Sequence, residues 1–391
     1  MLSAVTFSAV FQSPLARARQ TADVVLQGRV QGQGQAAAAA AAPLPPPRLT
    51  LPCLREVDLY QFQGLLKHEG KALYGEAYKQ WQRAPHLFEL DGRAPVRELW
   101  YRGSLAWQSL LRPQPATASA AAAAGASSST TSSTTTTTTT AGGAPSQQQL
   151  LVVAHNAINQ ALVATALGLP PHFFRRLPQN NAALSVLDFT PAAAGAGSAP
   201  HVTLNCLNQS PDNPFKNPDK VVGHVVLLSP PAQPQGAEPQ AAAAAAAALR
   251  ALAAVFSKLQ ITHVLVATPA PNTDVITQLL AAQQQPAAAA AAVEHMPAAA
   301  PAVWRRAVEL AAVKTGGAST GSAVQYGNVL VLLDEQSHAA AVWAALGLAE
   351  PAAGEGPLLR VSPGGLSVCE FEADPAVTPA TVRCINNTAH L

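Results

Sequence analysis

Two stretches of this 391-residue chain repeat one another. "LLVVAHNAINQALVATALGL" (150–169) and "VLVLLDEQSHAAAVWAALGL" (329–348) align without gaps at an offset of 179, with eight identities in twenty. Shorter echoes accompany them: "ALSVLDF" matches "GLSVCEF", "LNCLNQS" matches "VRCINNT", and "VFQSP" weakly matches "LVATP". A set of matches this long means that the repeated object is a folding unit rather than a single hairpin. We read the chain as two copies of one α/β unit, roughly 1–213 and 218–391.

Within each copy, apolar runs of strand length alternate with helical patterns, as a parallel sheet with crossover helices requires. "VTFSAVF" precedes a helix over 15–26 whose start suits Pro14, and "LLVVA" precedes a helix from Asn156 to Leu167 that Gly168 ends. Low-complexity tracts interrupt this order near 32–47, 115–143, 191–200, 230–248 and 281–302. Such Ala, Pro, Ser and Thr tracts bury too little apolar surface to offset their ordering entropy, so they read as loops and linkers. Long insertions at loops cost little stability.

A net charge of +2 and the lack of any basic stripe exclude a nucleic-acid footprint or a hold on an anionic membrane surface. Cys53, Cys206, Cys369 and Cys384 form no CxxC pair, so neither a zinc site nor a disulfide framework is signalled. The longest apolar stretch, "QAAAAAAAALRALAAVF", is mostly alanine and is broken by Arg250, which excludes a membrane span.

Ligands of open α/β sheets bind beyond the carboxyl ends of the strands. His155 sits at such an end, and Arg17 follows another. A lone histidine there is more often a hydrogen-bonded structural group, and a lone arginine a solvated helix residue. Their divergence between the copies argues otherwise: His155 becomes Asp334, Asn156 becomes Glu335, and Asn272 stands opposite Arg17. A guanidinium offers a planar fork of donors suited to phosphate oxygens. Glu56, in "LREVDLYQFQGLL", is a candidate proton donor or an ordinary surface carboxylate paired with Arg55. Glu98 and Arg102, spaced by four, read as a helix pair beside packed Trp100 and Trp107. Residues 1–22 hold Arg17, Arg19, several Ser and Thr and no Asp or Glu, so they also suit an organelle presequence; what favours a phosphate site is the resemblance that these motifs carry together.

Taken together these stretches resemble the histidine phosphatase superfamily, the phosphoglycerate mutase-like proteins. "SPLARARQTADVV" looks like its phosphate-binding arginine motif, "LREVDL" its acid-bearing segment and "VVAHN" its second-histidine motif. "FELDGRAPVRELWYR", "QNNAALSVLDFTP" and the terminal "NNTAHL" extend the likeness to two-copy chloroplast members. The resemblance implies an α/β fold of two phosphoglycerate-mutase-like three-layer units with low-complexity loop insertions. It makes Arg17 a phosphate clamp, His155 a catalytic and phosphate-contacting imidazole, and Glu56 the acid that protonates the leaving alcohol. It further implies a small phosphorylated sugar-acid substrate, a stromal location, and no metal or other cofactor. Phosphoryl transfer spreads charge over oxygens, so positioned cations supply most of the stabilisation, and a histidine nucleophile splits hydrolysis into two easier steps.

The family's Arg-His-Gly triplet, whose histidine becomes phosphorylated, occurs nowhere in these residues. In the second copy "HVVLLSPP" puts Ser229-Pro230-Pro231 where the triplet belongs, with His224 ahead of the strand. The expectation is therefore a first copy that is a phosphatase lacking its first strand and nearly inert, and a second copy that is degenerate and structural. The alternative is a pseudophosphatase that binds a phosphorylated ligand or a protein partner.

Overall fold

The computed structural model describes residues 2–32, 45–112, 147–191, 200–210, 212, 214–215, 221–231, 239–268, 274–281, 291–315, 324–352 and 354–391. Contacts divide the chain into two compact units, 1–83 with 87–162, and 84–86 with 163–391. The fold is mixed α/β, as the alternation of patterns requires.

In the first unit, β1 (Ala9–Gln12) lies between β2 (Arg48–Thr50) and β3 (Leu150–Val153), parallel to both. All four residues of β1 are buried, and Phe7, Val10, Ala22 and Leu151 form a core with α1 (Ala16–Gly32). The strand begins four residues later than the run "VTFSAVF" suggests. α2 (Lys67–Arg83) is two helical arms that meet at Gly75, whose φ of 43° breaks the helix and is open to glycine at little cost. α3 (Pro95–Leu110) starts at a proline and buries Val96, Leu99, Trp100, Gly103, Ala106 and Leu110, a stripe at helical spacing. Gly103 allows a close approach: a Cβ there would stand 3.3 Å from the carbonyl oxygen of Ala161 in α4 (Asn156–Ala166), a tight contact that asks the neighbour to give by a few tenths of an ångström.

The second unit is built on one nine-stranded sheet. Its strands are β4 (Leu184–Thr190), β5 (His201–Gln209), β6 (Gly223–Leu228), β7 (His263–Thr268), β8 (Ala292–Pro297), β9 (Asn328–Leu332), β10 (Leu358–Leu359), β11 (Leu366–Phe371) and β12 (Thr381–Asn387). They run in the order β10-β5-β12-β11-β6-β9-β7-β8, with β4 on the other side of β5. β6 is parallel to β9 and antiparallel to β11, and its six residues are all buried, as a continuous apolar run at the centre of a sheet predicts. The helices are α5 (Pro239–Phe256), α6 (Asp274–Ala281), α7 (Ala300–Ala311) and α8 (Glu335–Leu346). Leu252 and Phe256 of α5 pack with Val226, Val264 and Leu330 in the core, each such side chain contributing on the order of 1.5–3 kcal/mol.

Three expectations require correction here. The alanine tract at 241–248 is helix, not loop: alanine has the highest helix propensity, and Leu249, Leu252 and Phe256 at spacings of three and four anchor the run to the sheet. The segment around 292–302 holds β8 and the start of α7. β8 pairs with β7 over six positions, so ladder hydrogen bonds rather than burial hold this exposed edge strand. Most of the remaining low-complexity residues, 33–44, 115–143, 192–199, 232–238 and 282–290, lie outside the described residues, as does Asn272. His224 also differs from its expected place, lying within β6 as its second residue, with Nδ1 2.9 Å from Asn328 Oδ1.

The copy boundaries at 213 and 218 and the compact units are different partitions of the chain. β4 and β5 fall within residues 1–213 and pack within the second compact unit.

Candidate active site

β1 and β3 are adjacent and parallel, so their carboxyl ends deliver Ser13 and His155 to the same place. The backbone N–H of Ser13 donates to Val153 O at 3.0 Å, which extends the ladder to the site. Pro14 and Leu15 then lead into α1, whose first turn carries Arg17. His155 immediately precedes α4.

Arg17 Nε donates to His155 Nδ1 at 3.0 Å. A guanidinium can only donate, so Nδ1 is the acceptor and the neutral ring carries its proton on Nε2. That nitrogen lies 2.7 Å from Ser13 Oγ, which also accepts the backbone N–H of Leu15 at 3.3 Å. Ser13 is fully buried and His155 only 6% exposed, whereas Arg17 is exposed. Burial, and secondarily the Arg17 charge, push the imidazole below the usual histidine range, while Glu56 acts in the opposite sense. His155 is thus held neutral, in one tautomer, between a serine and an arginine. Among the described residues the Arg17 Nη groups have no protein acceptor.

Glu56 reaches the same strand ends from the segment after β2. Its Oε1 accepts the N–H of Val57 at 3.0 Å and of Ala157 at 3.1 Å. Ala157 lies in the first turn of α4, where the helix dipole favours a negative charge. Among the described residues Oε2 has no protein partner. Arg102 and Glu98 do not form the helix pair that their spacing suggests. Arg102 Nη1 donates to Arg55 O at 2.7 Å and Nη2 to Glu56 O at 3.1 Å, so this half-buried guanidinium fastens the segment that carries the acid. Desolvation lowers its affinity for its proton, and the nearby Cys53 and Glu56 partly restore it. Glu98 accepts instead from the Tyr60 hydroxyl and from the N–H of Ala94. The carbonyls of residues 53–56 offer a cation more acceptors than one neighbouring carboxylate on the same helix.

The structure brings Arg17, His155 and Glu56 together around the amino end of α4. Ser13 and Arg102 complete the arrangement, and sequence reasoning missed both. Ser13 was legible only as the residue that stops a strand, and Arg102 only as half of a surface pair.

In the second unit Asp334, opposite His155 by sequence, is the N-cap of α8, its Oδ1 accepting Ser337 N–H at 2.8 Å. Ser229, at the carboxyl end of β6, contacts Nδ1 of the fully buried His338 at 3.0 Å, and Ser367 Oγ contacts the other ring nitrogen at 2.8 Å. Among the described residues no group of three or more His, Cys, Asp or Glu is placed to hold a metal ion, and no helix is long and apolar enough to cross a membrane.

The profile of the histidine phosphatase superfamily (branch 1) matches residues 1–195. Through that segment the chain belongs to the histidine phosphatase superfamily. The 2-carboxy-D-arabinitol-1-phosphatase of Triticum aestivum is 40% identical over 215 residues, covering 55% of this chain and 34% of that protein. A probable 2-carboxy-D-arabinitol-1-phosphatase of Arabidopsis thaliana is 39% identical over the same length, again covering 34% of its own chain. This chain therefore spans about a third of the length of the curated relatives it matches. Among solved structures, Bacillus stearothermophilus YhfR aligns at 19% identity and a TM-score of 0.35, over 51% of this chain and 74% of its own. Mycobacterial hydrolase 1 aligns at 19% identity and 0.38, over 54% and 80%.

Proposed function

We propose that the first copy, residues 1–213, carries a phosphomonoester site of the histidine phosphatase type. Arg17 offers its Nη groups to the phosphate oxygens, His155 lies beside the same group, and Glu56, held as a carboxylate at the amino end of α4, takes the role of acid for the leaving alcohol once it has itself taken up a proton. The observation that carries this reading is the bond from Arg17 to His155, with Glu56 anchored at the helix that begins beside that histidine. Neutral His155 adds no positive charge of its own. The cation that holds the phosphate is Arg17, exposed and bound to His155 through Nε alone among the described residues. For His155 to touch an oxyanion directly, Ser13 or Arg17 must give up one ring nitrogen.

The substrate class follows from the likeness to the wheat and Arabidopsis relatives: a sugar-acid phosphate, with 2-carboxy-D-arabinitol 1-phosphate as the named candidate and the chloroplast stroma as the place. Turnover needs a phospho-accepting nucleophile, and Arg-His-Gly is not found in residues 1–391. Residues 1–391 thus bind the ester without cleaving it, and the second copy, with an Asp cap at the histidine position, serves structure. Calorimetric titration with 2-carboxy-D-arabinitol 1-phosphate, run beside a phosphate-release assay, tests this. Saturable binding that Arg17→Ala abolishes, with no release, supports it; absence of binding overturns the site, and rapid release overturns the inertness.

A further inference from the structure

The antiparallel pair β4–β5 and the antiparallel pair β11–β12 have the same register. Leu184, Val186 and Asp188 face Gln209, Cys206 and Thr203; Leu366, Val368 and Glu370 face Asn387, Cys384 and Thr381. Both ladders shift register on either side of the valine, at Val186 and at Val368. The polar bond from Asn205 Nδ2 to Asp188 Oδ2, at 2.7 Å, has its counterpart in Arg383 Nε to Glu370 Oε2, at 2.9 Å.

Asn208 and Asn386 occupy equivalent places in these hairpins, with φ of 55° and 49°. Asparagine tolerates this left-handed region better than most residues. The backbone N–H of Asn208 donates to Ser185 Oγ at 2.9 Å, and that of Asn386 to Ser367 Oγ at 3.1 Å. Oδ1 of Asn208 accepts Asn180 N–H at 2.6 Å, and Oδ1 of Asn386 accepts Ser362 N–H at 2.9 Å. The third bond of each crosses between the hairpins: Asn208 Nδ2 donates to Arg383 O at 2.7 Å, and Asn386 Nδ2 donates to Asn205 O at 2.6 Å. Arg383 stands three residues before Asn386, and Asn205 three before Asn208. Between the two crossing bonds β5 and β12 meet at Leu207 and Ile385, again equivalent positions.

Reciprocity of this kind, in which i touches j and the equivalent of j touches the equivalent of i, is the mark of a two-fold interface between like subunits. We infer that β5 and β12 form a dimer-like interface inside a single chain, with a local two-fold axis through the Leu207–Ile385 pair. The partner that the β5 edge accepts is a second copy of its own hairpin, supplied in cis. Unpaired strand edges invite association with other chains, and here the tethered copy covers the edge. This gives the second copy a task that needs no catalytic group. The inference does not depend on the phosphate site, and neither the site nor its failure bears on it.

The test cuts the full chain. A protease site is introduced between residues 216 and 220, the folded protein is nicked, and the association of the two pieces is measured by sedimentation. Asn208→Asp and Asn386→Asp are made in turn, since aspartate keeps the backbone preference and the acceptor but loses the crossing donor. The pieces are expected to stay together at micromolar concentration, and each variant to weaken their association by about tenfold, to a similar extent. Hydrogen exchange in the uncut variants is expected to quicken in β5 and β12 together, whichever asparagine is changed. Spontaneous separation of the wild-type pieces, a tenfold effect from one variant with none from the other, or faster exchange confined to the altered strand would each overturn the inference.

Discussion

Arg17 and His155, 138 positions apart in sequence, are joined by one hydrogen bond of 3.0 Å from Nε to Nδ1. The bond has two effects. It assigns the imidazole proton to Nε2, and it engages the guanidinium through Nε, leaving the Nη groups without a protein acceptor among the described residues. Arg17→Lys retains a positive charge and loses both effects, because an ammonium is a point charge without the planar fork. We expect its affinity for inorganic phosphate to drop about tenfold or more, measured by calorimetry, although net charge is unchanged. Equal affinity would mean that charge alone holds the anion.

Arg102 fastens the segment that carries Glu56 through the Arg55 and Glu56 carbonyls. Arg102→Leu leaves those carbonyls without their charged donor, and we expect urea unfolding of the first unit to show a loss of about 1–3 kcal/mol. Glu56→Gln is different in kind. Glutamine keeps an acceptor for Val57 and Ala157 and removes a negative charge near His155. Stability should stay within about 0.5 kcal/mol and phosphate should bind slightly more tightly. Weaker binding by Glu56→Gln would place the carboxylate elsewhere in the mechanism.

Acid should unfold the second unit through His338. Burial lowers this imidazole to about 3, against an unfolded value near 6.5. A base whose folded affinity for protons is depressed costs nothing above the unfolded value. Stability is then lost as pH falls below about 6.5, because the unfolded chain takes up a proton that the native state refuses. The loss from His338 alone is about 2 kcal/mol at pH 5. His224, also lowered by desolvation, adds in the same direction. Chemical denaturation at pH 5 and pH 7.5 reads this; His338→Gln should flatten the difference, and an unchanged pH dependence in that variant would contradict it.

Asp334 caps α8 through Ser337. Asp334→Ala should cost about 1 kcal/mol of stability in thermal or urea unfolding and leave phosphate binding untouched. A loss of binding at normal stability would give the second copy a ligand role after all.

Much of this was readable in the chain because strands and helices in α/β proteins carry strong local patterns. The apolar run before His155, the helix from Asn156 and the end at Gly168 all depend on neighbours in sequence, and the structure has them within a residue or so. The alanine tract of α5 was not readable as helix, since low complexity hides the three anchoring side chains at its end. Ser13, Arg102 and His338 acquire their partners from segments 29 or more residues away. Nothing in their local spacing records that. The likeness of "CLN" and "CIN" is visible in the chain, but the crossing of Asn208 and Asn386 required coordinates, because matched letters say nothing about which strand receives each amide.

The site itself is tested most directly by heteronuclear NMR of the full chain as inorganic phosphate is added. In the free protein the imidazole nitrogens of His155 should report a neutral ring protonated on Nε2. Phosphate should then shift the Arg17 guanidinium and His155 ring signals in a saturable way, with one dissociation constant. Shifts that spare both residues, or a His155 ring protonated on Nδ1, would contradict the account.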